Sequence, residues 1–340
     1  MLKRNEKIDF IRGVAIILVV FGHIISTNTI GFENNFIYKI IWSLQMPLFM
    51  IISGYLVNLS KRILTFQELL KCLNKKSNAY LKPWLIWTFI NGVYDQEIYF
   101  SDEIGFFQSF YIYFKKILFH MDISYWFLFS IWTISIIFYI IQFLNRNRIG
   151  YNKFIYEILF IFVSIFLLYL IGKKSNFKIL GLKYTLYYIP YYYIGYKSDY
   201  IIKNVKLLDI LSFSSFIIYF ILISSFNFYS VPDDSPLVTL RILASLSGCL
   251  LIVNISMKID FSKVPKLFNK ISFIGRYTLE IYVLHYFFIK PFELDFLHNI
   301  HNINGVLVVL GIFIVEIISN YICICLINSN KYSKKILFNK

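Results

Sequence analysis

Charged residues are scarce in this 340-residue chain, where only 16% of the positions are Asp, Glu, Lys or Arg and 58% are hydrophobic. So few charges could not cover the aqueous surface of a globular protein, and a mean hydropathy of +0.64 is typical of a polytopic membrane protein. Cysteine is also rare. The four residues Cys72, Cys249, Cys323 and Cys325 show no paired spacing, so neither a disulfide framework nor a zinc site is indicated, and we interpret them as packing residues.

Acidic residues are few relative to basic ones: 19 Asp and Glu stand against 34 Lys and Arg, which gives a net charge of +15. In a soluble protein this excess would suggest nucleic-acid binding. In a membrane protein it is typical of cytoplasmic loops that face anionic lipid. We therefore expect the lipid bilayer, and no nucleic acid, as a partner.

Ten apolar stretches are long enough to cross a hydrocarbon core of roughly 30 Å, if short or tilted spans are allowed. They lie near 8–27, 37–59, 80–95, 125–144, 154–172, 182–196, 207–229, 237–256, 272–290 and 304–327. The segment 104–119 is aromatic but interrupted by charge, which predicts an interfacial helix. The sequence thus predicts an all-α fold, a transmembrane helical bundle of about ten spans in a single domain over residues 1–340.

The distribution of basic residues predicts the topology of this bundle. One alternating set of ends and loops contains 23 Lys and Arg residues, whereas the opposite set contains eight. Because Lys and Arg are enriched on the cytoplasmic side, both termini are expected in the cytoplasm. The chain is accordingly predicted to be a multi-pass protein of the cell inner membrane.

The first span contains three ionisable residues, Asp9, Arg12 and His23. Such groups are costly in lipid, so they suggest function. Arg12 and His23 are eleven residues apart, which places them on one helix face about 16 Å from each other. Asp9 can pair with Arg12 one turn away. The alternative is structural: Arg12 would reach the interface along its aliphatic stem, and His23 would pack in the core.

Five groups of residues, in order along most of the chain, resemble the integral-membrane acyltransferase 3 family, whose members O-acylate sugars of surface polysaccharides and lipids. The groups are Asp9 to Gly13 with Phe21 to His23, Met46 to Phe49 with Ser53 to Leu56, Pro83 to Trp87, Tyr125 to Leu128, and Gly275 to His285. Thr278 stands where the family often has Ser, and Lys82 stands where Arg is frequent.

The resemblance implies an enzyme that transfers an acyl group, most readily acetyl, from acyl-CoA to a hydroxyl. The acceptor would be a glycan such as O-antigen polysaccharide, or a lipid-linked sugar. Acetyl-CoA is then a donor substrate, and no bound cofactor or metal is expected. Arg12 would bind the donor phosphates, because a guanidinium stays charged and binds phosphate bidentately. His23 would act as general base, and Asp9 would orient Arg12. An acyl-histidine intermediate is a second possibility.

Two residues of the ninth span, Thr278 and His285, share a helix face and form a possible second site. The alternative for His285 is an interfacial histidine bonded to a backbone carbonyl. Arg276 and Glu280 have the spacing of an i,i+4 pair.

Further polar and aromatic residues have less specific interpretations. Glu316 has no sequence-local partner and is expected to face the bundle interior. The tyrosines of 187–193 are interpreted as an interfacial belt, although tyrosines near Pro190 could also stack on a sugar ring. The acidic and histidine residues of 293–301 lack a recognised ligand pattern, so we expect a solvated loop there.

Another function class remains open at this point. A transporter or flippase for a lipid-linked sugar would also need buried charges and aromatic surfaces, although the sequence contains no repeated half. A glycan polymerase would require a long external loop, and the longest candidate, 96–124, is of modest length.

The topology can be tested with reporter fusions. Fusions at Lys75, Asn147, Asn204 and Lys340 are expected to report a cytoplasmic location, and fusions at Glu33, Asp102 and Asp233 an external one, because of the uneven distribution of basic residues. An external signal at Asn147 or Asn204 would show that a span has been miscounted.

Overall fold

A computed structural model of the chain describes residues 5–29, 31–95, 98, 105–119, 125–174, 179–226, 228, 235–259, 263–289 and 303–338. Those residues contain helices and no β-strand, which confirms the predicted all-α fold. The α-helices are α1 (Glu6–Asn28), α2 (Phe36–Leu59), α3 (Phe66–Lys76), α4 (Lys82–Tyr94), α5 (Phe106–Phe119), α6 (Trp126–Leu144), α7 (Gly150–Lys174), α8 (Leu182–Lys197), α9 (Asp199–Lys203), α10 (Val205–Ile223), α11 (Ser235–Lys258), α12 (Pro265–Arg276), α13 (Thr278–Leu284), α14 (Ile303–Ser329) and α15 (Lys331–Phe338).

Seven helices in the described part of the chain are long and apolar enough to cross a membrane: α1, α2, α6, α7, α10, α11 and α14. Many of their large apolar side chains are exposed, among them Phe162 at 66%, Ile221 at 63% and Val315 at 63%. Water covers such surfaces poorly, whereas lipid chains cover them well, so the chain is a membrane protein. Helices α4 and α8 have only 13 and 16 residues, and the count of ten spans stays a prediction.

The segment 272–290, one of the predicted spans, is not one continuous helix. Helix α12 ends at Arg276, Tyr277 has non-helical dihedral angles (φ −113°, ψ 24°), and α13 begins at Thr278. A 3₁₀ turn, His285–Phe287, follows α13. The physical reason is that α12 is amphipathic and packs as a separate helix against α1. The i,i+4 spacing of Arg276 and Glu280 therefore does not lie on a single helix.

The chain divides into two compact units, and the first comprises Met1–Tyr55 and Tyr193–Lys331. Within this unit α1 and α12 pack backbone against backbone, because Gly13 lies against the Ile271 carbonyl and Gly275 against the Asp9 carbonyl. Small residues permit such close approach between membrane helices. The prediction of a single domain over the whole chain stays a prediction.

Helix α2 packs on α1 in the same unit. Gly22 of α1 lies against the side chains of Ile41, Trp42 and Gln45. A hydroxyl pair, Ser43 and Tyr219 at 2.9 Å, connects α2 to α10. The consequence is that the end of α1 that bears His23 faces side chains of α2.

The second unit comprises Leu56–Tyr192 and Tyr332–Lys340, and aromatic residues pack its interior. The Trp87 indole nitrogen donates to the Leu337 carbonyl at 3.2 Å, and its ring stacks on Phe338 at 5.7 Å. Trp126 stacks on Tyr184 at 4.3 Å. Trp87 and Trp126, which belong to two of the residue groups that resemble the family, are therefore packing residues of this unit.

The tyrosines of α8 correct another expectation. Tyr187, Tyr188, Tyr191 and Tyr192 are all buried, the last two completely. Tyr191 donates a hydrogen bond to the Tyr187 hydroxyl at 3.1 Å, and Tyr192 and Ser135 of α6 are joined at the same distance. The interfacial-belt prediction was wrong for these four, because their rings fill the core of the unit, and the hydroxyls of Tyr187, Tyr191 and Tyr192 find partners inside it.

The glycine contact between α1 and α12 generates a stability prediction. Gly275→Ala places a methyl group on the Asp9 carbonyl, so the two helices must move apart. We expect a loss of about 1–3 kcal/mol, measured as a lower midpoint of thermal unfolding of the purified protein. The matched control is Gly311→Ala in α14, where an added Cβ meets no described atom within 4 Å. Equal stability of the two variants would contradict the proposed contact.

Candidate active site

One end of α1 carries a cluster of charges around Asp9. The helix begins at the N-cap Asn5, whose side chain accepts from the backbone N–H groups of Lys7 and Ile8, and this places Asp9 in the first turns. The Asp9 carboxyl is buried at 4% exposure, with Arg12 Nη1 at 4.0 Å from one oxygen and Arg276 Nε at 3.9 Å from the other. The predicted pairing of Asp9 with Arg12 is present, and Arg276 of α12 joins it.

This arrangement places one guanidinium group near each oxygen of Asp9 without burying either group. Their side chains are 30% and 41% exposed, for Arg12 and Arg276 respectively, while the carboxylate between them is covered. Each guanidinium carries five N–H donors, more than one shared carboxylate can use. The pair can therefore bind an anion such as a phosphate group, which guanidinium recognises bidentately.

The other end of α1 carries His23, which lies beside His285. Their ring centroids are 5.3 Å apart, with an angle of 45° between the ring planes. His23 and His285 are 262 positions apart in the sequence, and they meet because α13 runs along α1. The structure thus unites two histidines that the sequence presented as separate candidates, and their roles stay predictions.

Hydrogen bonding distinguishes the two imidazoles. His285 is buried, and its Nδ1 lies 3.1 Å from the Ile281 carbonyl. Because a carbonyl can only accept, Nδ1 must carry the proton, and neutral His285 has its lone pair on Nε2. His23 is only partly buried, and within the described residues its ring makes no hydrogen bond. The two imidazoles therefore differ in their hydrogen bonding, because Nδ1 of His285 is engaged by a backbone carbonyl and the His23 ring, among these described residues, is not.

Two residues of α2 near His23 were missed by the sequence analysis. Trp42 packs edge-on against the His23 ring at 5.3 Å, and stacks on Tyr38 at 5.0 Å. Gln45 is 1% exposed, lies against Gly22, and its Oε1 makes no hydrogen bond in the described part of the chain. A lone amide inside an apolar span is a sequence signal of function that could have identified Gln45.

Several other candidates lie apart from the two histidines. Thr278 begins α13, about 10 Å of helix rise before His285. Glu316 is buried in α14 at 2% exposure, which confirms that it faces the interior. The run 293–301 falls outside the described residues, and among those that are described no three His, Cys, Asp or Glu side chains cluster as a metal site would require.

Comparisons with known proteins identify the family of this chain. A family described as an acyltransferase domain, acyltransferase 3, matches residues 5–325. Over 88 residues the chain is 39% identical to nodulation protein NolL of Sinorhizobium fredii (strain NBRC 101917 / NGR234), a match that covers 25% of this chain and only 23% of that protein. No solved structure matches. Because the family match extends over nearly the whole chain, this protein belongs to the acyltransferase 3 family of membrane acyltransferases.

Proposed function

We propose that this protein is an O-acetyltransferase of the cell inner membrane, which moves an acetyl group from acetyl-CoA to a hydroxyl of a bacterial surface polysaccharide or lipid-linked sugar. The observation that carries the proposal is the His23–His285 pair at one end of α1, with Asp9, Arg12 and Arg276 at the other. Such a separation suits a reaction whose donor is anionic and whose acceptor is a neutral hydroxyl.

The charged end of α1 would bind the donor. Arg12 and Arg276 offer bidentate donors to the CoA phosphates, and Asp9 keeps the two guanidiniums in position. Arg12 and His23 are three helical turns apart, about 16 Å. The pantetheine arm of CoA is a linear chain, and along this face it would carry the thioester from the phosphates toward His23.

The histidine end would carry out the transfer. A neutral imidazole at His23 removes the proton from the acceptor hydroxyl as its oxygen attacks the thioester carbonyl. The new C–O bond forms, the C–S bond breaks, and the proton held by His23 can pass to the departing CoA thiolate. His285 would orient His23 across the 5.3 Å ring contact, with its own tautomer fixed by the Ile281 carbonyl.

The function is tested by incubating purified protein with acetyl-CoA radiolabelled in the acetyl group and with membrane glycan from the producing cells. Label in the glycan supports the transferase. A protein that moves the lipid-linked sugar between leaflets without incorporating label would instead be a transporter, and the proposal would be wrong.

Replacement of the proposed base is the first test of mechanism. His23→Ala is expected to lower the rate of acetyl transfer by about 10²- to 10⁴-fold, the usual contribution of general-base catalysis. The matched control is Ser26→Ala, one turn further along α1, whose hydroxyl donates to the His23 backbone carbonyl at 3.1 Å. A folded His23→Ala protein with a rate close to that of wild type would exclude the general-base role.

Donor binding is tested separately. Arg12→Lys keeps the charge but loses the bidentate fork, so we expect acetyl-CoA affinity, measured by calorimetry, to fall by about ten- to a hundredfold. His23→Ala should bind acetyl-CoA almost as wild type does, because a base for the acceptor adds little to donor binding. Arg146→Lys, in the turn after α6, is the matched control. Undiminished binding by Arg12→Lys would remove Arg12 from the donor site.

A further inference from the structure

A cavity of about 440 Å³ lies beside α14, on the side of the Glu316 carboxyl. This volume is within the range of about 300–1,000 Å³ typical of small-molecule sites. Phe288 and aliphatic residues of α14 form most of the wall, and Glu316 and Ser319 supply its polar side chains. None of these residues has a role in the reaction described above.

Glu316 is the unusual member of this wall. It is 2% exposed, and neither carboxyl oxygen has a hydrogen-bond partner among the residues that the structure describes. Ser319 donates to the Val315 carbonyl at 2.9 Å, and Asn320, the nearest amide, donates to the backbone carbonyl of Glu316 at 3.0 Å. A buried carboxyl without a partner is costly, and more so in a membrane. A ligand with hydrogen-bond donors would remove that cost.

The cavity is open in front of Gly311, and its wall includes Phe288, which follows the proposed site residue His285. A Cβ at Gly311 would meet no described atom within 4 Å, so there is room for a ligand at that point. On the other wall, Phe288 follows His285 by three residues. One turn before Glu316, Phe313 packs edge-on against Phe21 at 5.5 Å, two residues from His23. The cavity therefore adjoins the turn that carries His285.

We propose that this cavity binds a sugar unit of the acceptor, with Glu316 accepting a hydrogen bond from a hydroxyl next to the one that is acetylated. The proposal rests on the acetyltransferase function proposed above. Vicinal hydroxyls of a sugar ring provide the donors that Glu316 lacks, and the C–H face of the ring suits Phe288 and the aliphatic wall. A lipid tail or acyl chain would fill the space but leave the carboxyl unpaired, so it fits less well.

The test compares kinetic constants for the two substrates. Glu316→Leu removes the carboxylate that would accept the hydrogen bond from the sugar. Gly311→Leu places a large side chain in the cavity and leaves Glu316 unchanged. In the radiolabel assay each is expected to raise the apparent KM for membrane glycan by about ten- to a hundredfold and to leave the KM for acetyl-CoA unchanged. Ser329→Ala, at the end of α14 and outside the lining of this cavity, is the matched control, because it deletes a hydroxyl already bonded to the Leu326 carbonyl at 2.7 Å.

An unchanged KM for glycan in both leucine variants would overturn the proposal, as would a fall in kcat alone or an equal rise in the KM for acetyl-CoA. If wild-type protein transfers no label, the proposed function has failed, and the cavity is then judged by alkylation. For this test, Ser319→Cys is introduced into a variant whose four native cysteines are replaced by Ser, and the protein is treated with N-ethylmaleimide. Protection by membrane glycan that is lost on adding Glu316→Leu supports the sugar site, and absence of protection rejects it.

Discussion

The backbone contact between α1 and α12 is the interaction on which the rest of the site depends. Gly13 and Gly275 let the two helices meet without intervening side chains, and this contact sets Arg276 beside Asp9. The chain then turns at Tyr277 and continues as α13 along α1, which brings His285 to His23. A single close approach between two helices thus assembles both the charged end and the imidazole end of the site.

The low polarity of the bilayer makes a buried carboxyl costly, and Asp9 and Glu316 of this unit differ in whether the protein supplies a partner for it. Asp9 is buried between two guanidiniums, which offset the cost of removing its charge from water. Glu316 is buried to a similar degree, yet its carboxyl has no partner in the described part of the chain. The first arrangement is complete without a substrate, whereas the second becomes complete only when a ligand binds. In a membrane protein this difference separates a carboxylate that organises a site from one that awaits a ligand.

Sequence periodicity predicted what lies within a helix and could not predict which helices adjoin. Asp9, Arg12 and His23 were identified because ionisable groups are costly in a membrane span and helical spacing places them on related faces, and His285 because it has the spacing of a shared face with Thr278. Trp42 was missed because its contact with His23 arises only when α2 packs on α1, whereas Gln45 was overlooked although it is an amide inside an apolar span. The break at Tyr277 had no sequence signal, since the residues around it include no proline, and packing of α12 on α1 determines where the helix ends. For the same reason the tyrosines of α8 were misassigned, because composition cannot distinguish an interfacial ring from one in the core.

Helix α7 is the least buried of the seven long apolar helices in the described part of the chain. Only 6% of its apolar stretch is buried by protein, against 61% for α1, so lipid is the main neighbour of its side chains. Lipid chains adapt to any apolar shape, and exchanges among Leu, Ile and Phe on this helix should be nearly neutral during evolution. Glu157 is the exception, because it is buried at 1% exposure and lies 3.8 Å from Lys153 one turn earlier. Sequence divergence among relatives should therefore be greatest along α7, and Glu157 should vary less than its neighbours on this helix.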